Sequence, residues 1–141
     1  MMSLEDYMAY RNEHNEYAAF LGIRTTEMRE GYARGELAIR KEYENAIGSV
    51  HGGCLFSLAD TIGGSAAASY GMRVTTLSSD FHYLSPGIGV KKLYAEAKEI
   101  KNGKRISVYE VEVAGEDGKL LAKGTFTFFN LGVPLISDEK F

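Results

Sequence analysis

Between Asn45 and Met72 the chain carries one formal charge, Asp60, and no other feature constrains the fold so tightly. Residues 54–70 run through Leu55, Phe56, Leu58, Ala59 and Ile62 into Gly63, Gly64 and three alanines, with Gly71 behind them. Alanine and leucine favour helix and glycine ends it, so 54–70 is predicted to be helical. A helix apolar on every side is one buried on every side. Gly63 and Gly64 each cost about 1 kcal/mol relative to alanine in a helix interior. Their presence implies that backbone, side chain or ligand comes close on that face.

What surrounds this helix is read from changes of period. Ser3 and Asp6 form a capping-box pattern that opens an N-terminal helix. Leu4, Tyr7, Met8, Tyr17, Phe20 and Leu21 give that helix an imperfect apolar face, and Gly22 ends it. From Ile23 the period is two, and 32–41 reads as a strand after a turn at Gly31. Residues 45–53 form a glycine-punctuated loop. Four further alternating runs follow, at 74–84, 91–100, 105–114 and 120–130. Asn102-Gly103 and Asp117-Gly118 separate the last three, and such dipeptides are strong hairpin signals, so those strands are antiparallel. The expected fold is α+β: helix, one or two strands, the buried helix, then four strands of an antiparallel sheet.

Composition removes several classes of function. The 141 residues contain no repeat, and Pro86 and Pro134 lie far apart, so 1–141 is read as a single domain. A net charge of −3 gives no electrostatic footprint for nucleic acid. No run approaches the ~18 apolar residues of a membrane span, and the acidic N-terminus lacks the basic and apolar regions of a signal peptide. The lone Cys54 suits a reducing compartment. A soluble cytoplasmic domain acting on a small molecule or a protein partner is the expectation.

Asp60 has no basic residue at helical spacing; its neighbours there are Phe56, Ser57, Gly63 and Gly64. A carboxylate in such a helix is either tied down by hydrogen bonds from elsewhere or held reactive at a site. The segment before the helix favours the second reading. Gly48, Gly52 and Gly53 surround His51 just upstream of the helix start. Free N–H groups and the positive dipole end lie there, and glycine lets a ligand oxygen approach them. At 1.5 Å per residue, Asp60 stands ~12 Å along the axis from Gly52. One protomer's amide and carboxylate cannot meet across one small reacting centre, so a second copy of the chain is expected to complete the site.

Asn45, His51-Gly52-Gly53 and Asp60 resemble the signature of the PaaI-type hotdog-fold acyl-CoA thioesterases: an Asn six residues before the His and an Asp nine after it. Residues 80–86, ending in Tyr83-Leu84-Ser85-Pro86, resemble that family's Tyr-Leu-Arg/Ser-Pro strand end, and the turn Lys101-Asn102-Gly103-Lys104-Arg105 also fits. The resemblance spans about residues 20–130. It implies a hotdog fold, an antiparallel sheet wrapped around the central helix, assembled into dimers and tetramers with active sites between protomers. It makes Asp60 the catalytic carboxylate, as nucleophile or general base, and the Gly52 N–H the oxyanion contact. Asn45 would orient water or substrate, and Thr76 falls where some relatives hold the water with a serine. It places coenzyme A near Tyr83, Ser85 and Pro86 and near the 101–105 turn, where Lys and Arg can grip phosphate. Coenzyme A is then part of the substrate, and no separate cofactor or metal is expected. His51 belongs to the catalytic loop, as a shaping and hydrogen-bonding element rather than a base.

Other readings compete with these. Cys54, in the first helical turn beside His51, is an alternative nucleophile. The 101–105 turn reads equally as a solvated hairpin tip. Phe126, Phe128 and Phe129 read as core or subunit contact. Two other functions keep the same fold: a hydratase, for which no Asp-x-Asn-Pro-x-His arrangement is present, and a non-catalytic acyl-CoA-binding module.

Overall fold

A computed structural model describes residues 2–138. The chain runs α1 (Leu4–His14), α2 (Glu16–Leu21), β1 (Arg24–Arg29), β2 (Tyr32–Ala38), α3 (Gly52–Ala67), β3 (Met72–Tyr83), β4 (Lys92–Asn102), β5 (Ile106–Gly115) and β6 (Leu120–Pro134). The six strands form one antiparallel sheet in the order β1-β2-β4-β5-β6-β3. Helix α3 lies in its concave side, against β2, β4 and β5 above all.

The packing follows from the side-chain pattern. Leu55, Leu58 and Ile62 of α3 are buried against Leu37, Leu93, Val111, Val113 and Phe126, which project from alternate positions of the strands. Each such side chain contributes roughly 1.5–3 kcal/mol on burial. Phe126 and Phe128 belong to this core, whereas Phe129 is only partly buried. Gly63 admits the Phe128 ring: a Cβ there would sit 3.1 Å from Phe128 Cζ. Gly35 of β2 is tighter still, because its Cβ would meet Ile62 Cδ1 at 2.1 Å. Among the described residues, no helix is long and apolar enough to cross a membrane.

The structure corrects several boundaries. The N-terminal helix is two helices, because Asn15 (φ −85°, ψ 84°) ends α1 and caps α2 by accepting from the Ala18 N–H. The Ser3–Asp6 capping box forms as expected. Of the one or two strands expected before α3, two are present. That helix starts at Gly52 rather than residue 54 and gives way to a 3-10 turn, Ala68–Tyr70. The last strand continues to Pro134. At the first glycine hairpin Asn102 ends β4, and the turn is carried by 103–105, closed by a Gly103 N–H···O=C Ile106 bond of 2.9 Å.

The two edges of the sheet differ. β1 is a short edge of six residues carrying Arg24, Glu27 and Arg29. β3 is a long edge of twelve, and its residues 75–80 are exposed, with Leu77 55% accessible. An unpaired strand of that length is a template for another strand.

Candidate active site

Two clefts open on α3, one at its N-terminus and one at its middle. The first has a volume of about 280 Å³ and is lined by Asn45, Ser49, Gly52, Tyr83, Ser85 and Pro86 among others. Here the chain is held by local bonds. Asn45 Oδ1 accepts from the Ile47 and Ser49 N–H groups, and its Nδ2 donates to Ser49 Oγ at 2.9 Å. His51 (φ −60°, ψ 138°) is the N-cap of α3, and its Nδ1 accepts from the Gly53 N–H at 2.8 Å. Nδ1 thus serves as the acceptor that closes the cap.

That cap covers Gly53 and leaves Gly52. Cys54 and Leu55 turn their N–H groups back to the His51 carbonyl, while the Gly52 N–H makes no hydrogen bond among the described residues. No acidic side chain occupies the first turn, so the positive end of the helix dipole stays uncompensated. A Cβ at Gly52 would lie 3.2 Å from the Tyr83 ring, which stands over the helix start with 54% of its surface accessible. A side chain there would press the Tyr83 ring outward by a few tenths of an ångström.

The second cleft, about 430 Å³, is lined by Asp60 and Thr76 together with Arg11, Tyr17, Phe56 and Phe128 among others. Asp60 is partly buried, and Thr76 Oγ1 donates to its Oδ1 at 2.6 Å. Oδ2 has no partner among the described residues. The register of β3 against β6 shifts between Thr76 and Ser78. A bulge of this kind re-aims side chains beside it, and Thr76 is the residue it turns toward α3.

Spacing along α3 offers Asp60 no cation, but the tertiary fold brings one. Arg11 of α1 reaches into the same cleft, donating from Nε to Ser65 Oγ at 2.8 Å and from Nη2 to the Thr61 carbonyl at 3.0 Å. Burial pushes its pKa down to about 10, and the charge of Asp60 opposes that fall. Gly64 makes room for it, since a Cβ there would lie 3.0 Å from Arg11 Nη2. Sequence reasoning missed Arg11, and the unexplained glycine at 64 was the only local signal for it.

Thus Asn45, His51, Gly52, Tyr83, Ser85 and Pro86 are gathered at one end of α3, and Asp60 with Thr76 at its middle. The Lys101, Asn102, Gly103, Lys104 and Arg105 hairpin tip lines neither cleft of its own chain. Burial raises the Cys54 thiol from 9.0 to about 11, which removes the thiolate a Cys54 nucleophile would need.

Residues 47–122 match the model of the thioesterase superfamily, and the chain belongs to that family. Within it the chain is a PaaI-type hotdog protein. The acyl-coenzyme A thioesterase PaaI of Escherichia coli is 33% identical over 121 residues, covering 82% of this chain and 86% of its own. The solved structure of that protein superposes with a TM-score of 0.83 at 31% identity over 94% of this chain and 99% of the other. A relative from Archaeoglobus fulgidus is 38% identical over 133 residues, 93% of this chain and 84% of its own length. A Streptococcus mutans structure bound to acetyl CoA superposes with a TM-score of 0.76 at 28% identity, covering 82% and 93% of the two chains.

Proposed function

We propose that the protein is a homodimeric acyl-CoA thioesterase whose active site joins the Asp60 cleft of one protomer to the Gly52 cleft of another. The observation that carries this reading is the separation of the two clefts. Gly52 and Asp60 are eight residues apart on one straight helix, ~12 Å along its axis, and they open to different cavities.

The exposed edge of β3 supplies the means of joining them. Residues 74–76, near its start, border the Asp60 cleft, and Tyr83, at its end, borders the Gly52 cleft. Antiparallel pairing of β3 with its two-fold mate brings the start of one strand opposite the end of the other. Each carboxylate then faces a foreign helix N-terminus, and two equivalent sites form. Association of dimers into a tetramer is compatible with this arrangement and would not alter it.

In each site the thioester oxygen accepts from the Gly52 N–H at the positive end of α3, where the charge of a tetrahedral intermediate develops. Asp60, steadied through Oδ1 by Thr76, presents Oδ2 to the carbonyl carbon or to a water beside it, as nucleophile or general base. Water adds, the C–S bond breaks, and coenzyme A leaves as the thiol while the acyl group leaves as the acid. Asn45 keeps one N–H of its amide for water or substrate once the loop bonds are made. The Tyr83, Ser85, Pro86 rim and the basic 101–105 hairpin are the surfaces for the nucleotide portion, with no further cofactor.

Mixed dimers test the shared site. Asp60→Ala removes the carboxylate. Gly52→Pro removes the N–H at the first helical position, where proline is tolerated. Each variant alone should release almost no thiol from an acyl-CoA panel. After dissociation and equimolar remixing, half the dimers carry one intact site, so about a quarter of wild-type activity should return if subunits pair at random. If the mixture stays as inactive as its components, both groups act within one protomer and the proposed assembly is wrong. If the wild type binds acyl-CoA yet releases no thiol, the protein is the non-catalytic binding module instead.

A further inference from the structure

We propose that the acyl group hydrolysed by this protein ends in a carboxylate, and that Arg11 is the residue that reads it. The inference rests on the thioesterase reading and names the substrate class for that same site.

Three observations lead to it. First, Arg11 is a cation drawn out of bulk water into the cleft that holds Asp60, yet among the described residues it has no carboxylate within 4.0 Å. Asp60 is near enough for its charge to oppose the downward pull of burial on this guanidinium but makes no ion pair with it, so the cation keeps its capacity for a carboxylate at hydrogen-bond distance. Second, its orientation is fixed. Nε and one Nη2 hydrogen are bound to Ser65 and Thr61, and the side chain lies flat over Gly64. Of its five donors, the N–H groups of the Nη1 and Nη2 end have no other partner among the described residues. That end is the planar fork that accepts a carboxylate with two parallel bonds. Third, the helix bearing Arg11 is pinned beside it. Asn12 pairs with the Thr25 backbone through both its donor and its acceptor, at 2.9 Å each, and Thr25 Oγ1 bonds Ser65 Oγ at 2.7 Å. The guanidinium therefore stands ready before any ligand arrives.

The geometry also sets the scale of the acid. Ser65, which anchors the guanidinium, lies five residues beyond Asp60, or ~7.5 Å along the helix axis. A thioester carbon at Asp60 and a carboxylate at Arg11 are then joined by a short run of methylenes, as in glutaryl or adipyl. Nη2 is tethered to the carbonyl of Thr61, the residue after Asp60, so the span to be bridged is no longer than this rise. Val74 and Phe128, which line the same cleft, offer apolar walls for the methylenes.

The test compares chains matched in length. Thiol release is measured for glutaryl-CoA against pentanoyl-CoA and for adipyl-CoA against hexanoyl-CoA, with wild type, Arg11→Met, Arg11→Lys and Asn12→Ala. A ratio of kcat/KM values is independent of the fraction of protein folded. The wild type should favour the carboxyl-ended chain. In Arg11→Met the ratio should fall by about ten-fold or more. Lysine should restore part of it, and Asn12→Ala, which loosens the helix that carries Arg11, should lower it by less than Arg11→Met does. Wild-type inhibition by free adipate against free hexanoate reads the same subsite without any variant, and adipate should inhibit more tightly. A wild type that prefers the methyl-ended chain in both measurements overturns the inference, as does an unchanged ratio in Arg11→Met. Either result leaves the thioesterase reading intact. Absence of thiol release from every acyl-CoA removes that reading itself, and this one with it.

Discussion

The N-terminal turn of α3 and the middle of α3 hold the two halves of the candidate site by different means. At the N-terminus the side-chain bonds are local, Asn45 to Ile47 and Ser49 and His51 to Gly53, and backbone bonds from Val50 to Gly87 and from His51 to Tyr43 hold the loop in place. At the middle every fixing bond is long-range. Thr76 reaches Asp60 across 16 residues, and Arg11 reaches Thr61 and Ser65 across 50 and 54. The amide half is a loop whose side chains bond within it and whose backbone is tied to Tyr43 and Gly87, with its free N–H left over by helix geometry. The carboxylate half exists only once the edge strand and the N-terminal helix have docked.

That contrast is broken most directly at the two reacting groups. Asp60→Asn keeps an oxygen for the Thr76 hydroxyl but loses the charge, and should lower kcat by about 10³-fold or more with an unchanged melting temperature. Gly52→Pro should cost about 10²–10³-fold. Its control is Gly52→Ala, which adds similar crowding against Tyr83 but keeps the N–H and should stay far more active. Equal losses in the proline and alanine variants would mean that the amide is not used and that only space at Tyr83 matters.

A smaller effect belongs to the long-range bond itself. Thr76→Val preserves shape on the exposed edge and deletes one hydrogen bond to a charged acceptor, which is worth about 1.5–3 kcal/mol. In steady-state kinetics kcat should fall about ten-fold or more, and Thr76→Ser should recover most of it. If valine leaves kcat untouched, Asp60 does not depend on the bulge in β3, and the carboxylate half is less dependent on tertiary structure than its geometry suggests.

The same division explains what could be read from the sequence. The buried helix announced itself because one charge in 28 residues leaves no solvent-facing side. The loop from Asn45 to Gly53 was legible because its side-chain bonds are short in sequence and its spacing is family-specific. Helix starts were harder: Gly52 has poor helix propensity and was assigned to the loop, but the His51 ring caps the turn and the helix begins two residues early. The break at Asn15 was hidden because its neighbours all favour helix, and only the backbone turn at Asn15 separates α1 from α2. Arg11 was invisible for a plainer reason. Which residue of an exposed-looking helix enters a cleft is decided by how α1 docks on Thr25 and Ser65, and no local pattern encodes that docking.

The smallest expected effect falls on Cys54, which shares the first turn of α3 with the free amide and yet belongs to neither half. Burial lifts its thiol from 9.0 to about 11, so at pH 8 it is a protonated, half-buried apolar group that packs against the core. Cys54→Ser should therefore retain nearly full kcat, and iodoacetamide at pH 8 should not inactivate the wild type at the rate of an exposed thiol. The linkage has a definite sign. The unfolded thiol ionises near 9 while the folded one stays protonated until about 11, so the unfolded chain sheds its proton first. Any stability tied to this group is complete below pH 9 and declines as pH rises through that interval. Melting temperatures of wild type and Cys54→Ser measured from pH 8 to 10.5 should then converge with alkalinity. Rapid loss of thiol release on alkylation at pH 8 would instead place a reactive thiolate at the helix start and give the local half of the site a nucleophile of its own.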